Sequence, residues 1–302
     1  MQLSQHETIN WNFVLMESHD DGSRVKRTYT VIGITGAVVV AIALYFSLIG
    51  GNGVETTNAS IETASLPPLA AKEIHSGLDY SLAEVADQKL APRVFVKSVR
   101  VDLGRIRDVD EKKATFFKIL LPIIARENDR IRAEREEIIK DPEAISASLY
   151  EKYDVEVGDV DTLLKHVDIV PASLILAQAA LESGWGSSRF ARRGNNYFGM
   201  RTYDPDVPGI EPTHAEGFKV MTFKNLSHGV RVYIANLNTH GAYKKLREAR
   251  AKMRADGEAP AGRPLTHYLT SYSEIPGKYE KRLRAMIDQN GLSRYDGVRL
   301  AS

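Results

Sequence analysis

A mainly helical domain carried behind one transmembrane helix is what the sequence predicts, on three observations. Val31–Ile49 is almost continuously apolar, and no residue from Thr28 to Val54 is charged. The chain beyond residue 109 is dominated by segments with helical spacing of apolar side chains. Only one short stretch in that later part, Phe218–Phe223, has the character of a strand.

Composition bounds the function classes. The 302 residues suffice for one large or two ordinary domains. Hydrophobic residues make up 43% and charged residues 26%, which allows a sizeable core and excludes a wholly disordered chain. Lys and Arg total 40 against 39 Asp and Glu, so no basic excess points to nucleic acid. The lack of cysteine excludes disulfides, thiolate metal sites and thiol catalysis. The eight histidines are scattered without an H-E-x-x-H or similar spacing, so no metal or cofactor is expected.

The elements follow in order. Residues 1–29 read as a cytoplasmic tail and 30–50 as a retained anchor in the lipid bilayer. Nineteen helical residues cover close to the ~30 Å hydrocarbon core, and no A-x-A-like cleavage site follows the run. Arg24, Lys26 and Arg27 precede it and the first charge after it is Glu55, which places the N-terminus inside and the later residues in a periplasm. Residues 51–108 read as an extracytoplasmic linker with a β-leaning stretch, Arg93–Val101, that has no assigned place. A random-coil tether of ~40 residues spans roughly 35 Å. Residues 109–302 form the main domain. Asp110–Lys140 is a long amphipathic helix that Pro122 is expected to kink or split. One or two short helices follow in Leu149–Val167, then a strongly apolar helix, Pro171–Ser183, with Pro171 in its first turn. Residues 202–217 are loop. Ser227 is expected to cap a helix running through Asn238, and Ala242–Arg254, Pro264–Tyr272 and Pro276–Asn290 complete the set, Gly291 stopping the last.

The chemistry concentrates in residues 168–200. Glu182 follows Ile175 by seven and Gln178 by four, so the three share a helix face. Leu174, Ile175, Ala179 and Leu181 make its surroundings apolar, and both desolvation and the negative helix end disfavour a carboxylate there. Gly184 and Gly186 end the helix, and Trp185 offers a ring to the apolar face of a sugar. A carboxyl kept protonated near neutrality is what glycosidic bond cleavage requires of a general acid. From spacing alone, the same glutamate also reads as a helix-end carboxyl that is solvated or paired.

VPASLILAQAALESGWG, SRFA and GNNYFGM together resemble the family 73 glycoside hydrolases, which are N-acetylglucosaminidases, and within them the Bax-like group. FFKILLPIIARENDRIRAEREEII, NLNTHGAYKKLREARAKM and YSEIPGKYEKRLRAMIDQNGL extend the resemblance over roughly residues 110–293. It implies a lysozyme-like helical fold with a small β-containing lobe. It also implies hydrolysis of the β-1,4 bond between N-acetylglucosamine and N-acetylmuramic acid in peptidoglycan glycan strands. Glu182 matches the family's catalytic acid, and Tyr279 matches a tyrosine of the active site. Trp185, Asn196, Tyr197, Phe198 and Gly199 match positions that line or shape the groove, and Gln178, on the Glu182 face, is grouped with them. Read without the resemblance, Tyr279 is a helix-surface aromatic packed on a neighbour.

A second carboxylate has no clear motif. Asp204, Asp206, Glu211 and Glu216 are available in the lobe, Glu216 first and Glu211 second; the alternative is attack by the substrate's own acetamido group. Two rival functions stand beside the hydrolase. A lytic transglycosylase shares the fold but places G-x-x-Q after its Glu-Ser pair, where this chain has GWG and NNYFGM. A non-catalytic wall-binding protein would not need Glu182.

Overall fold

The computed structural model describes residues 78–99, 102–213, 217–269 and 276–302. The expected anchor at 30–50 lies outside them, and among the described residues no helix is long and apolar enough to cross a membrane. The described part is mainly helical with a small β lobe.

Folded structure begins earlier than the composition suggests. Helix α1 (Leu82–Gln88) is capped by Ser81, and strand β1 (Leu90–Ala91) pairs in parallel with β5 (Arg299–Leu300). Leu78, Val85, Ala91 and Val99 are buried in the common core, and Leu103 in the following 3-10 turn joins them. The linker expected over 51–108 therefore gives way to the domain by residue 78. The β-leaning residues 93–99 form no strand; Lys97 instead accepts a backbone bond from Leu226.

Helix α2 runs unbroken from Val109 to Lys140, capped by Asp108. Pro122 was expected to kink or split it, and the helix is not split. A helix-interior proline removes one N–H and leaves the carbonyl four residues back without its intrahelical donor. That carbonyl belongs to Lys118, and the Tyr80 hydroxyl donates to it at 2.6 Å. Two short helices follow, α3 (Ala147–Lys152) and α4 (Val160–His166).

Helix α5 (Ala172–Ser183) is the central element, with Leu174, Ile175, Leu176, Ala177 and Ala179 fully buried. Each large aliphatic side chain buried this way contributes about 1.5–3 kcal/mol. Pro171 sits at its N-cap rather than inside its first turn and supplies no side-chain acceptor. Asp296 takes that role from the far end of the chain, accepting from the Ser173 amide at 2.9 Å, the Ser173 hydroxyl at 2.9 Å and the Gly262 amide at 3.0 Å. Gly262 comes so near that a Cβ there would lie 2.1 Å from the Ser173 hydroxyl. Just ahead of α5, Asp168 is gripped by Arg254 through two 2.6 Å bonds, with the fully buried Arg250 beside it. Burial alone would raise this carboxyl; the Arg254 bonds and the charges of Arg250 and Arg135 hold it below the ordinary range.

After the short helix α6 (Arg189–Gly194) the chain forms the small lobe, an antiparallel sheet in the order β2 (Arg201–Thr202), β4 (Lys219–Met221), β3 (Gly209–Ile210). The expected strand is thus its middle member. Helix α7 (Leu226–Thr239) is capped by Asn225, two residues before the expected Ser227, because Asn225 reaches the His228 amide at 2.8 Å. A 3-10 turn, Gly241–Tyr243, leads into α8 (Lys244–Ala255). Only a short helix α9 (Gly262–Leu265) and a 3-10 turn, Thr266–Tyr268, occupy the described part of the expected Pro264–Tyr272 helix. Helix α10 (Pro276–Gln289) ends before Gly291, which takes φ +57°. Helices α2, α9 and α10 and the 3-10 turn Leu292–Tyr295 all pack on α5.

Candidate active site

Helix α5 places Glu182 in its last turn. The chain then reverses through three left-handed residues, Gly184 at φ +56°, Trp185 at +60° and Gly186 at +77°. For Trp185 this backbone costs about 1 kcal/mol. Ser183 holds the reversal, its hydroxyl donating to the Ala179 carbonyl at 2.5 Å and accepting from the Gly186 amide at 2.7 Å. The Trp185 ring is turned onto α2, edge-on to Phe116 and Phe117 at 5.5 and 5.6 Å. These contacts pin the reversal to α2.

Glu182 is half-buried. Desolvation pushes its carboxyl up to about 7, against the opposing pull of a Tyr279 hydrogen bond and the charges of Arg282 and Arg201. Helix α10 buries Tyr279 with Leu283 and Ile287, a spacing of four that turns one face inward. The Tyr279 hydroxyl donates to Glu182 Oε1 at 2.9 Å. The same hydroxyl accepts from Gln178 Nε2 at 3.0 Å, and Gln178 Oε1 in turn accepts from the Tyr233 hydroxyl of α7. Gln178 is fully buried with both ends of its amide engaged, so it orients Tyr279 rather than facing a groove.

The turn 195–200 supports the same chain of bonds from the lobe side. Asn196 is buried, with Nδ2 donating to the Met200 and Met221 carbonyls at 2.8 and 2.9 Å, and Oδ1 accepting from the Phe198 and Met200 amides. All its polar atoms are spent on the backbone, so its role here is structural. The turn delivers Phe198 flat onto Tyr233, with ring centroids 3.9 Å apart at 8°. It also sets Gly199 at φ +64°, where an added Cβ would sit 3.6 Å from Glu182 Oε2. Tyr197 is buried against Phe116 and Gly186; its hydroxyl has no hydrogen-bond partner among the described residues.

Of the expected site residues, the fold thus gathers Gln178, Tyr279, Phe198 and Gly199 around Glu182. Tyr233, Tyr243, Arg201 and Arg282 escaped sequence reasoning. Their approach to Glu182 is wholly tertiary, and no spacing in α7 or α10 announces it. Glu216 lies outside the described residues. Glu211 is exposed, its carbonyl accepting from Arg189 at 2.6 Å, and Asp204 accepts from the Asp206 amide at 2.8 Å. Among the described residues no group of three His, Asp or Glu side chains is placed to hold a metal ion.

A protonated carboxyl, half-open to solvent and anchored on one oxygen, can give up a proton and receive stabilisation from the phenol as it ionises. Comparison with known proteins places the chain in a family. The glucosaminidase model, described as mannosyl-glycoprotein endo-beta-N-acetylglucosaminidase, matches residues 159–292, a span that contains Gln178, Glu182, Tyr233 and Tyr279. The protein named Protein bax of Escherichia coli (strain K12) is 31% identical over 204 residues, covering 63% of this chain and 73% of that protein. No solved structure matches. Family model, relative and central helix agree: this chain belongs to the glucosaminidase family of glycoside hydrolases, in its Bax-like group.

Proposed function

We propose that this protein hydrolyses the β-1,4 bond between N-acetylglucosamine and N-acetylmuramic acid in peptidoglycan, with Glu182 as general acid. The observation that carries this reading is a half-open carboxyl pushed up to about 7, with Tyr279 donating to its Oε1. In the cleavage step the Glu182 O–H bond breaks and its proton passes to the glycosidic oxygen as that oxygen leaves C1. Water then supplies hydroxide to C1 and releases one proton. That proton goes to a lobe carboxylate, Glu216 before Glu211, or the substrate's acetamido oxygen assists by attacking C1 first. The enzyme works in the periplasm, tethered to the bilayer through residues 30–50, which suits a polymer lying close to the membrane.

Muropeptide mass spectrometry of purified wall digested by the full-length protein in detergent tests the reading. Reducing N-acetylglucosamine ends are expected, and Glu182→Gln should slow their release by at least about a thousandfold, the order contributed by a positioned acid. Anhydro-muramic ends would assign a transglycosylase instead. Wall left untouched by the wild type would leave a binding protein.

A further inference from the structure

The hydrogen bonds behind Glu182 run in one direction, and that direction has a chemical consequence. The Tyr233 hydroxyl donates to Gln178 Oε1, Gln178 Nε2 donates to the Tyr279 hydroxyl, and the Tyr279 hydroxyl donates to Glu182 Oε1. An amide has a donor end and an acceptor end, so whichever group claims one end decides what the other offers. Tyr233 is fully buried and stacked on Phe198, which leaves its ring little freedom. With its hydroxyl on Oε1, the nitrogen of Gln178 must face Tyr279. Tyr279 then has an occupied acceptor and one hydrogen left to give, and that hydrogen meets Glu182. Were the amide reversed, its oxygen would compete for the same phenolic hydrogen.

We infer that Tyr233 and Gln178 are positioning residues that determine which oxygen of Glu182 carries the reactive proton. They commit Tyr279 to Oε1, so the transferable proton resides on Oε2, the oxygen beside Gly199. The absence of a side chain at Gly199 keeps that oxygen approachable. When Oε2–H gives its proton to the glycosidic oxygen, the negative charge left on the carboxylate spreads to Oε1, where the Tyr279 bond strengthens. The chain of buried groups thus favours the ionised product of the step over its protonated start. This inference rests on Glu182 acting as the acid, and it assigns Gln178 and Tyr233 a task that does not involve touching substrate.

Among the described residues, the other groups acting on Glu182 can be kept constant. They are Arg282 on the same helix as Tyr279, Arg201 on β2, and the buried Tyr243 in the 3-10 turn after α7. None is altered in the variants below.

The test reads the ionisation of Glu182 directly, by carbon NMR titration of the carboxyl in the full-length protein, alongside the alkaline limb of kcat. Tyr279→Phe removes a donor from the carboxylate and should raise the midpoint by about one pH unit. Tyr233→Phe keeps the stacked ring and Gln178→Met keeps the volume, yet each should raise the midpoint by a comparable amount. Adding Tyr233→Phe to Tyr279→Phe should move it no further, because the message has lost its last relay. An unchanged midpoint in both Tyr233→Phe and Gln178→Met would overturn the inference. So would a Tyr233→Phe shift that adds in full to that of Tyr279→Phe, since it would mean action by another route. The titration needs no turnover. If the midpoints move as expected but peptidoglycan is not cleaved, the functional reading fails while the positioning stands; if cleavage proceeds but the midpoints stay, the reverse holds.

Discussion

Glu182 carries a thermodynamic cost as well as the chemical role proposed for it. Its folded carboxyl titrates near 7, whereas the ordinary value is 4.5. Between those two pH values the native state holds a proton that the unfolded chain has released. The group's contribution to stability is therefore complete below 4.5 and is lost as pH rises through 7. Glutamine never ionises, and its amide oxygen can still accept from Tyr279. Glu182→Gln should match the wild type in urea unfolding at pH 4 and exceed it at pH 8. A shift of about 2.5 units sets a ceiling near 3 kcal/mol, and partial solvent access brings the expected gain to roughly 2 kcal/mol. Equal stability at both pH values would show that the carboxyl is not desolvated in solution. The position of this residue at the end of an apolar helix was legible in the sequence, but spacing alone left open whether its carboxyl is desolvated or merely solvated or paired. Its supporting tyrosine at 233 was not legible, because a phenol amid the apolar residues of α7 looks like any other core aromatic. For Asn196 and Trp185 the sequence shows residue type alone; only the fold shows that the amide bonds the backbone of the turn and the indole packs on α2.

Helix α2 shows how an element can override its own breaker. Spacing of apolar residues announced its length, and Pro122 argued against its continuity. The remedy comes from Tyr80, 38 positions before Lys118, on a segment whose composition suggested a linker. Such a repair leaves no local signature. It does make a measurable prediction. Tyr80→Phe strands the Lys118 carbonyl and should destabilise the protein by about 1–2 kcal/mol in urea unfolding. With Pro122→Ala in place, the restored amide at 122 serves that carbonyl, and the same Tyr80→Phe should cost several-fold less. Equal losses in the two backgrounds would mean that Tyr80 acts through its ring, which also lies 5.5 Å from the Lys118 ammonium.

The domain as a whole is closed by its two ends, β1 against β5, with the Lys89 ammonium donating to the Arg294 carbonyl at 2.6 Å and Arg299 donating to Lys89 through the backbone. The folded domain is therefore expected to need residues 78–108 as well as those from 109 on. A protein beginning at 78 should unfold cooperatively and stay out of carbonate-washed membranes, while the full chain pellets with them. One beginning at 109 should lose cooperative unfolding, since Val85, Ala91 and Leu103 leave the core empty behind them. Recovery of the full chain in the wash would remove the anchor from the functional reading. Helical class, central helix and the strand at Phe218–Phe223 could be read from periodicity and turn residues, whereas the lobe followed only from the family resemblance. The closure could not be read, because a two-residue parallel pairing across the whole chain has no pattern long enough to register. Asp296 adds a consequence for biosynthesis. During translation α5 emerges 123 positions ahead of the carboxylate that completes its first turn. A polypeptide interrupted on the ribosome before that point lacks the acceptor for the Ser173 and Gly262 amides, so the helix that carries Glu182 is left without its cap.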